Sequence, residues 1–413
     1  MKKVLILGVG AQGSTVAQRL DEEPNVEEIV CADYDEEAVN GLVKSLKKAR
    51  GLKVDGSIYE QVVYAARGVD IIINALPLEY GKNALEAALE VKANYQDFAA
   101  CGGLVEAEDE GESWVEGIKY MYDHYGKRFA DIGKLALIGT GSAPGLICVL
   151  SRRAVRELDS CETINMMVYE GVVAKRFLPF WWSPRVALGD MAFPAVAFEN
   201  GELIRTEPFS RPLVRKFPEL DNMEVSMIEH AHDEPVYMGI NSRDFFKGAR
   251  NIYFKYGGSG IEFAHPLYKM GILSSEEKDF DGQKIIPFEF TLRHIPPPPK
   301  FKEEIQEILD EGLVSDIGAF VIEEYGKKDG KDVMVDIHLS APGLVESFER
   351  AGITGEMYQT GQCGFFFTKM FLQDKFPQTG LISSDMLNDE QVDYYLSLAA
   401  EKDITYTIEI KNQ

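Results

Sequence analysis

A glycine-rich turn between an apolar strand and a helix constrains this chain more than any other feature. Residues 4–20 read VLILGVGAQGSTVAQRL, an apolar run of strand length followed by a predicted helix at Ala11–Leu20. Gly8, Gly10 and Gly13 have the spacing G-x-G-x-x-G. In such a motif the first glycine permits a sharp turn, the second lets the backbone approach a pyrophosphate, and the third brings the helix close to the sheet. The sequence therefore predicts a dinucleotide-binding turn.

An acidic residue follows the second apolar run at the distance that this motif requires. The run Glu28–Ala32 is followed by Asp33, twenty residues after Gly13, where a dinucleotide-binding unit places the carboxylate that binds the adenosine ribose. The segment 32–37, ADYDEE, contains no Lys or Arg that could bind a 2′-phosphate. We therefore expect NAD as the cofactor. The alternative is a glycine-rich turn in an unrelated α/β protein.

Composition excludes several classes of partner. The 413 residues suffice for two domains, and the net charge of −24 argues against nucleic acid or an anionic membrane as the main partner. The five cysteines (31, 101, 148, 161 and 363) have no metal-binding spacing, so we expect reduced thiols. We also expect no signal peptide and no membrane-spanning segment, and hence a cytoplasmic protein that binds a small molecule.

Alternating elements in the first part of the chain predict a Rossmann-type parallel sheet with helices on both faces. Further strands are predicted at residues 52–55, 69–75, 94–98 and 135–138, with helices at 35–50, 61–66, 83–91 and 120–130. Ligands of such sheets bind beyond the carboxyl ends of the strands. Residues 74–80 and 97–103 are therefore expected to face the nicotinamide half of the cofactor.

The pattern changes after about residue 160 and predicts an α+β domain with a mostly antiparallel sheet. Strands are predicted at 164–170, 195–199, 252–256, 285–292, 333–339 and 405–410, hairpin turns at Asn200-Gly201 and Asp329-Gly330, and late helices at 358–372 and 389–402. The predicted domains are 1–145 for the dinucleotide, 146–352 for the substrate, and 353–413 as helices that pack back on the first domain.

A second glycine-rich turn, GTGSAPG at residues 139–145, joins a predicted strand to an apolar helix. Two interpretations are equally supported, because a glycine turn serves either. The turn is a structural link between domains, or its backbone lines the active site near the nicotinamide.

Segments along nearly the whole chain resemble the saccharopine dehydrogenase family, which includes lysine 6-dehydrogenases and carboxynorspermidine synthases. They are VLILGVGAQG with ADYD, INALPLEYGKNALEAALEVKANYQDFA, GTGSAPGL, WWSPRVALGDMAFPAVAFENGELI and TGQCGFFFTKMFLQDKFPQTGLISSDML. The chain departs from the family pattern at 383–385, where Ser-Ser-Asp replaces Pro-Glu, and at 255–259, where KYGGS replaces an arginine-bearing stretch. Lys255 would hold a carboxylate as a point charge and not as a bidentate fork, which argues against saccharopine as the substrate.

The resemblance implies an NAD-dependent oxidoreductase that acts on the C–N bond of an amino acid such as lysine or a lysine-like diamino acid. It also implies a homodimer. One alternative is a reductive condensing enzyme that joins an amine to an aldehyde or keto acid. The other is a non-catalytic NAD-binding regulator that uses the same scaffold.

The predicted catalytic residues are Asp97, His232 and Lys255. Asp97 ends the fifth strand beside the expected nicotinamide, where an acid in the family resembles a contact to the substrate amine; the alternative is a turn carboxylate. His232 and Glu234 resemble a family H-x-E segment, and the alternative is a pair of exposed loop histidines. No third ligand accompanies His230 and His232 at useful spacing, so no metal is predicted.

The remaining site predictions concern binding. The predicted cofactor contacts are Gly8, Gly10, Ala11, Gln12, Gly13, Asp33, Tyr34, Asp55, Ala75, Leu76, Pro77 and Gly141. The predicted substrate contacts are Asp97, Ala143, Pro144, Gly145 and Arg243. Trp181 and Trp182 are interpreted as core aromatic residues in preference to a substrate wall, and Cys101 as a structural thiol because no histidine neighbours it in sequence.

Overall fold

The computed structural model describes residues 1–100, 104–105 and 110–413. Cys101 and most of the acidic segment 106–111 lie outside the described residues. The chain forms two compact units: the first comprises Met1–Arg153 and Met357–Asp403, and the second Ala154–Glu356 and Ile404–Gln413. The division thus falls after Arg153 and not at the predicted residue 145, and the last strand lies in the second unit and not with the helices that precede it.

The strands follow in chain order. They are β1 (Lys2–Leu7), β2 (Val26–Asp33), β3 (Ala49–Lys53), β4 (Ile71–Asn74), β5 (Asn94–Asp97), β6 (Leu135–Ile138), β7 (Ser160–Glu170), β8 (Val173–Ala174), β9 (Ala195–Glu199), β10 (Glu202–Thr206), β11 (Leu213–Lys216), β12 (Glu224–Glu229), β13 (Asn251–Gly258), β14 (Lys278–Phe280), β15 (Gln283–Ile285), β16 (Leu313–Ser315), β17 (Gly318–Lys328), β18 (Lys331–Ser340), β19 (Gly380–Ser383) and β20 (Thr405–Asn412).

The α-helices are numbered in the same way. They are α1 (Ala11–Glu22), α2 (Glu36–Lys44), α3 (Tyr59–Ala66), α4 (Gly81–Val91), α5 (Glu110–Tyr120), α6 (Gly126–Asp131), α7 (Leu146–Val155), α8 (Pro184–Ala192), α9 (Glu234–Ile240), α10 (Ser242–Phe245), α11 (Ser259–Lys269), α12 (Pro287–Leu292), α13 (Lys302–Glu311), α14 (Leu344–Ala351), α15 (Gln362–Leu372) and α16 (Asp389–Ala400). Two π-helical turns, Met121–Tyr125 and Met357–Gly361, lead into α6 and α15.

The first unit contains a parallel sheet with the strand order β19-β6-β5-β4-β1-β2-β3 among the described residues. The predicted α/β Rossmann-type sheet is therefore confirmed. The seventh strand, β19, is not in the sequence prediction; it pairs with β6, with Gly380 opposite Leu135. The carboxyl ends of β1, β4 and β5 meet at one edge because all these strands are parallel and in adjacent order.

Apolar periodicity explains how α1 covers this sheet. Val16, Ala17 and Leu20 are fully buried, and they lie at helical spacing on one face. The strand β1 is buried from Val4 to Leu7, which is typical of a parallel strand covered on both faces. This packing holds the N-terminus of α1 beside the carboxyl end of β1.

The second unit is built on a nine-stranded, mostly antiparallel sheet. Its order is β10-β9-β13-β7-β17-β18-β20, with β12 paired to β13 and β11 to β12. Within the described part of this sheet, β13–β7 is the one parallel pair. The hairpin turns at Asn200-Gly201 and Asp329-Gly330 are confirmed, and all four residues have positive φ, as a two-residue hairpin turn requires. The predicted α+β class is thus confirmed as well.

One predicted strand is wrong. Residues 285–292 alternate apolar and polar in part, but only Gln283–Ile285 is a strand, and Pro287–Leu292 forms α12. Proline at the first helical turn lacks only a donor that the helix does not use, so Pro287 begins the helix. Among the helices of the described ranges, none has both the length and the apolar composition that a bilayer crossing requires.

Candidate functional site

The glycine turn of the first unit has the geometry that its sequence predicts. Gly8 has φ +87°, and a Cβ there would lie 2.6 Å from the carbonyl oxygen of Ala75. A Cβ at Gly13 would lie 1.9 Å from the carbonyl oxygen of Gly8. A Cβ at Gly10, in contrast, would meet nothing within 4 Å. Two glycines are therefore needed for packing, and the third leaves open space at the N-terminus of α1, which fits a bound pyrophosphate.

The carboxylate of Asp33 lies at the end of β2 and is held beside this turn. One oxygen accepts a hydrogen bond from the backbone amide of Val9 at 2.8 Å, and the other accepts one from the amide of Asp35 at 3.0 Å. Lys53 lies opposite Asp33 in the β2–β3 register, and its ammonium group pairs with Glu36 at 3.8 Å. Lys53 could not be found from the residues next to Asp33, because only the pairing of β2 with β3 brings the two residues together.

Two other predicted cofactor residues near this edge differ in their surroundings. The side chain of Tyr34 is 74% exposed. Asp55 is exposed and accepts hydrogen bonds from the backbone and hydroxyl of Ser57, which lower the pKa of its carboxyl group. A Cβ at the adjacent Gly56 would lie 2.6 Å from a methyl carbon of Leu76, so the ends of β3 and β4 are packed together.

A cavity of about 100 Å³ opens at the carboxyl edge of β4 and β5. It is lined by Gln12, Asn74, Ala75, Leu76, Leu78, Gly81, Asp97, Phe98, Ala99 and Ala100. The structure thus brings the predicted residues Gln12, Ala75, Leu76 and Asp97 to one cavity. This is the edge where the nicotinamide half of a dinucleotide is expected.

Asp97 is held by several hydrogen bonds at this edge. Its side chain is 2% exposed; one oxygen accepts a bond from the amide of Gly139 at 2.9 Å and the other from the hydroxyl of Tyr95 at 3.0 Å. The same hydroxyl accepts a bond from Asn74 at 3.0 Å. Asp97 therefore both lines the cavity and connects β5 to the turn after β6, so both interpretations from the sequence stay open.

The turn at 139–145 is closely packed. Gly141 and Gly145 form an isolated bridge, and a Cβ at Gly145, which has φ +132°, would lie 2.0 Å from the carbonyl oxygen of Gly141. Pro144 and Gly145 are buried, and Ala143 is half-buried. Close packing of the backbone thus explains why glycine occurs in this turn. A role in ligand binding stays a prediction for Gly141, Ala143, Pro144 and Gly145.

In the second unit, His232 is held by a carboxylate and an aromatic ring. Its Nδ1 lies 2.8 Å from Oε2 of Glu234, whose side chain is fully buried. Its ring stacks on Phe254, with centroids 3.9 Å apart. Burial would lower the pKa of His232, but the carboxylates of Glu234 and Asp190 outweigh it and raise the pKa to about 9. His232 is therefore not an exposed loop histidine.

Two further carboxyl groups surround this histidine. Burial raises the pKa of Asp190, on α8, to about 8 despite the nearby His232. Burial also raises the pKa of Glu170, which accepts hydrogen bonds from the hydroxyl of Tyr256 and from the indole of Trp182. The cluster concentrates carboxyl groups around one imidazole.

His230 completes the group. It is 1% exposed, and its ring lies 4.7 Å from that of Tyr256. Burial lowers the pKa of His230 well below its usual value, and the adjacent His232 adds to the effect. The ligand atoms of Asp190, His230 and His232 all lie within 4.8 Å of one another. The sequence shows no third metal ligand near His230 and His232. In the folded unit Asp190, which is distant in sequence, lies close enough to be that third ligand.

Lys255 does not join this cluster. Successive residues of β13 point to opposite faces of the sheet, so Lys255 faces away from Phe254 and Tyr256. Its ammonium group bonds to Glu229 and to the backbone oxygen of Arg211, each at 3.1 Å. Burial lowers the pKa of Lys255, while Glu229 opposes the effect. The structure thus separates two predicted catalytic residues, His232 and Lys255, onto different faces of one sheet.

The remaining residues considered in the sequence are Arg243, the two tryptophans and the cysteines. Arg243 is exposed on the short helix α10. Trp181 packs in a core cluster with Leu178 and donates to the backbone of Val172 at 2.9 Å, as a core residue does. Trp182 instead contacts Glu170. The described cysteines 31, 148, 161 and 363 are buried free thiols, and Cys101 lies outside the described residues.

Comparison with known proteins agrees with this geometry. Residues 4–124 match the family described as saccharopine dehydrogenase NADP binding domain. Over these residues the chain is similar to that family. The resemblance seen in the sequence is therefore confirmed, and the match supports a nicotinamide dinucleotide as the cofactor without deciding between NAD and NADP.

One curated relative aligns over nearly the whole chain. It is carboxyaminopropylagmatine dehydrogenase from Synechocystis sp., which is 23% identical over 397 residues, 94% of each protein. The names of the family and of this relative support an oxidoreductase.

Two solved structures have the fold of this chain. Saccharopine dehydrogenase (L-Glu forming) from Saccharomyces cerevisiae has a TM-score of 0.66 at 14% identity and covers 99% of this chain and 100% of its own. Homospermidine synthase from Legionella pneumophila, in complex with NAD, has a TM-score of 0.67 at 12% identity and covers 100% of this chain and 91% of its own. At these identities the likeness shows the fold.

Proposed function

We propose that the chain is an NAD-dependent oxidoreductase that acts on the C–N bond of a small amine, such as lysine or a lysine-like diamino acid. The observation that carries the proposal is the contrast within the glycine turn. Gly8 and Gly13 are closed by backbone contacts, whereas Gly10 is open beside the Asp33 carboxylate. That combination fits a pyrophosphate and an unphosphorylated ribose.

The first unit would hold and orient the cofactor. A bound nicotinamide dinucleotide supplies the acceptor or donor of a hydride. Gly10 and the N-terminus of α1 would bind the pyrophosphate, and Asp33 would bind the adenosine ribose. Asp97, fixed by Gly139 and Tyr95, would present a carboxylate at the cavity where the nicotinamide half is expected and would orient a substrate amine there.

The second unit carries, within itself, side chains suited to a cationic ligand and to proton exchange. The buried carboxylate of Glu234 favours a positively charged neighbour, and the indole of Trp182 offers a cation–π surface. Because Nδ1 of His232 bonds to Glu234, Nε2 is the atom that would give or take a proton. With a pKa of about 9, His232 is an acid at neutral pH and a base under alkaline conditions.

A reductive condensation is the second candidate function. It is supported by the relative named carboxyaminopropylagmatine dehydrogenase, which aligns with nearly the whole chain. In this direction an amine would add to an aldehyde or keto acid and lose water to form an imine. Reduction of that imine would consume one NADH and one proton and release a secondary amine and NAD. The same residues could serve this reaction, because both candidate functions pass a hydride between the nicotinamide and the carbon of a C–N bond.

A panel of substrates distinguishes these functions. NADH absorbance is followed at alkaline pH with NAD and single amino acids, lysine included, and then at neutral pH with NADH and pairs of an amine and an aldehyde or keto acid. Turnover of lysine supports the first candidate, and NADH consumption only with pairs supports the second. Binding of NADH without turnover of any substrate would overturn both and leave the non-catalytic regulator.

Matched variants connect activity to the proposed residues. Asp97→Asn and His232→Gln should each lower kcat by roughly 100-fold or more, while NADH binding to the first unit stays intact. Removal of the exposed His294, as His294→Gln, should leave kcat and KM unchanged. Full activity of both Asp97→Asn and His232→Gln would contradict the assigned roles. The same assays with NADP and NADPH in place of NAD and NADH measure which cofactor the enzyme prefers.

A further inference from the structure

Three side chains of the second unit converge as a set of metal ligands. Asp190 comes from α8, and His230 and His232 come from the segment between β12 and α9. Their ligand atoms lie within 4.8 Å of one another, the only such group of three among the described residues. We propose that Asp190, His230 and His232 bind a divalent transition-metal ion, with Zn²⁺ as the representative ion.

The partner of His232 orients it as a metal ligand. Metal-bound histidines commonly donate their second ring nitrogen to a carboxylate, which fixes the tautomer and the ring direction. Nδ1 of His232 lies 2.8 Å from the fully buried carboxylate of Glu234. This bond leaves Nε2 as the free coordinating atom. The stacked ring of Phe254, 3.9 Å away, restricts the rotation of the imidazole further.

His230 is a buried polar group that lacks a partner. It is 1% exposed, and neither of its ring nitrogens has a hydrogen-bond partner among the described side chains. Burial of an unsatisfied polar group is costly, so natural structures rarely tolerate it without a reason. Coordination to a metal ion would satisfy one nitrogen. This is an observation independent of the carboxylate–histidine pair.

The distances require only a small contraction. Metal bonds of about 2.0–2.2 Å place tetrahedral ligand atoms roughly 3.4 Å apart, so a pair of ligand atoms at the 4.8 Å limit must close by roughly 1.4 Å. Asp190 is half-buried and has room to move, whereas His230 is buried and His232 is held by Glu234 and Phe254. Three protein ligands leave one coordination position for water or another small ligand, as in open zinc sites.

The donor types select the class of ion. Two imidazoles and one carboxylate suit Zn²⁺ and neighbouring transition metals, whereas Mg²⁺ and Ca²⁺ prefer oxygen ligands alone. The negative charges of Asp190 and the adjacent Glu234 would balance the charge of a divalent ion. Metal binding does not depend on the proposed oxidoreductase function. If that function also holds, the ion would occupy Nε2 of His232 and compete with the cationic substrate.

The test is direct measurement of bound metal on the full chain. Protein treated with a chelator is dialysed against Zn²⁺ or Co²⁺, and the metal is counted per chain; the Co²⁺ form is also examined by visible absorption. We expect one ion per chain and cobalt d–d bands typical of a four- or five-coordinate site. Asp190→Asn and His230→Gln should weaken binding by at least about 100-fold, and Glu234→Gln by about 10- to 100-fold.

Controls separate this site from other histidines and from loss of the fold. His294 is exposed and belongs to no group of potential metal ligands among the described residues. The variant His294→Gln should therefore bind metal like the unmodified chain. Far-UV circular dichroism and NADH binding check that each variant is folded. If His230→Gln does not fold, metal binding by Asp190→Asn and Glu234→Gln and the Co²⁺ spectrum test the proposed site instead. Less than one-tenth of an ion per chain, or binding unchanged in the folded ligand variants, would overturn the proposal.

Discussion

The carboxylate of Asp33 accepts a hydrogen bond from the backbone amide of Val9 at 2.8 Å. The end of β2 is thereby tied to the middle of the glycine turn. In the proposed binding mode, the bond would hold the carboxylate within reach of the ribose of a dinucleotide. The same carboxylate would then oppose the 2′-phosphate of NADP.

The first prediction concerns cofactor choice. Asp33→Ser should weaken NADH binding by about 10- to 100-fold, because hydrogen bonds to a charged group contribute about 1.5–3 kcal/mol. The same change should leave NADPH binding equal or stronger, since the repulsion of the 2′-phosphate is removed. Titration of both cofactors by fluorescence measures the ratio, and exposed Glu37→Gln serves as the control. An unchanged ratio in Asp33→Ser would contradict the assigned role.

The second prediction separates binding from packing within the glycine turn. Gly13→Ala should lower the free energy of unfolding by about 3 kcal/mol, because its Cβ would lie 1.9 Å from the carbonyl oxygen of Gly8. Gly10→Ala should change stability by less than about 1 kcal/mol, because its φ is −67° and its Cβ meets nothing within 4 Å. Gly10→Ala should nevertheless lose NADH binding, since the methyl group occupies the open space. Urea denaturation and cofactor titration of the two variants give both values.

Local patterns carried enough information to predict the dinucleotide-binding part. The strand, the spacing of Gly8, Gly10 and Gly13 and the position of Asp33 lie within one continuous segment, so their geometry follows from local rules. β19 could not be predicted in the same way. Its four residues, Gly380–Ser383, become a strand because they pair with β6, and that partner is distant in the sequence.

The histidine cluster shows a second limit of the sequence. His230 and His232 are neighbours and could be found, but Asp190 belongs to a helix that packs beside them only in the folded unit. The opposite error concerns Lys255. Adjacent residues of a strand point to opposite faces of the sheet, so Lys255 lies on the other face of β13 from Phe254. A match to a family motif does not show on which face a side chain lies. The neighbouring Glu229 then occupies its ammonium group.

The third prediction concerns an ion pair between α4 and α6. The guanidinium of Arg128 donates to both oxygens of Glu86, at 2.6 and 2.7 Å, and the hydroxyl of Tyr125 donates to the same carboxylate at 2.8 Å. The side chains are 36% and 28% exposed, so solvent screens the pair in part. Arg128→Lys removes the bidentate geometry and should lower the free energy of unfolding by about 0.5–1 kcal/mol.

A neighbouring exposed pair provides the control for that change. Lys119 and Glu116 pair at 2.7 Å along α5 and are 43% and 46% exposed. Lys119→Gln should change stability by less than about 0.5 kcal/mol. Equal losses in Lys119→Gln and Arg128→Lys, measured by urea denaturation, would show that the fork geometry at Glu86 contributes nothing beyond an exposed pair.

The fourth prediction concerns the pH dependence of the second unit. His338 on β18 pairs through Nε2 with Asp336 at 3.1 Å and through Nδ1 with Glu219 at 2.5 Å. The hydrogen bond with Asp336 raises the pKa of His338 although burial opposes it. A histidine with a raised pKa in the folded state stabilises fully below its unfolded pKa of about 6.5. That stabilisation is lost as the pH rises through the folded pKa.

His338→Gln should therefore cost stability in acid more than in alkali. The loss in free energy of unfolding, relative to the unmodified chain, should be larger at pH 5.5 than at pH 9, because the charged imidazole exists only at the lower pH. Urea denaturation at both pH values measures this difference, and the exposed His294→Gln should stay within about 0.5 kcal/mol of the unmodified chain. A loss of the same size at both pH values would mean that the charge of His338 does not stabilise the sheet.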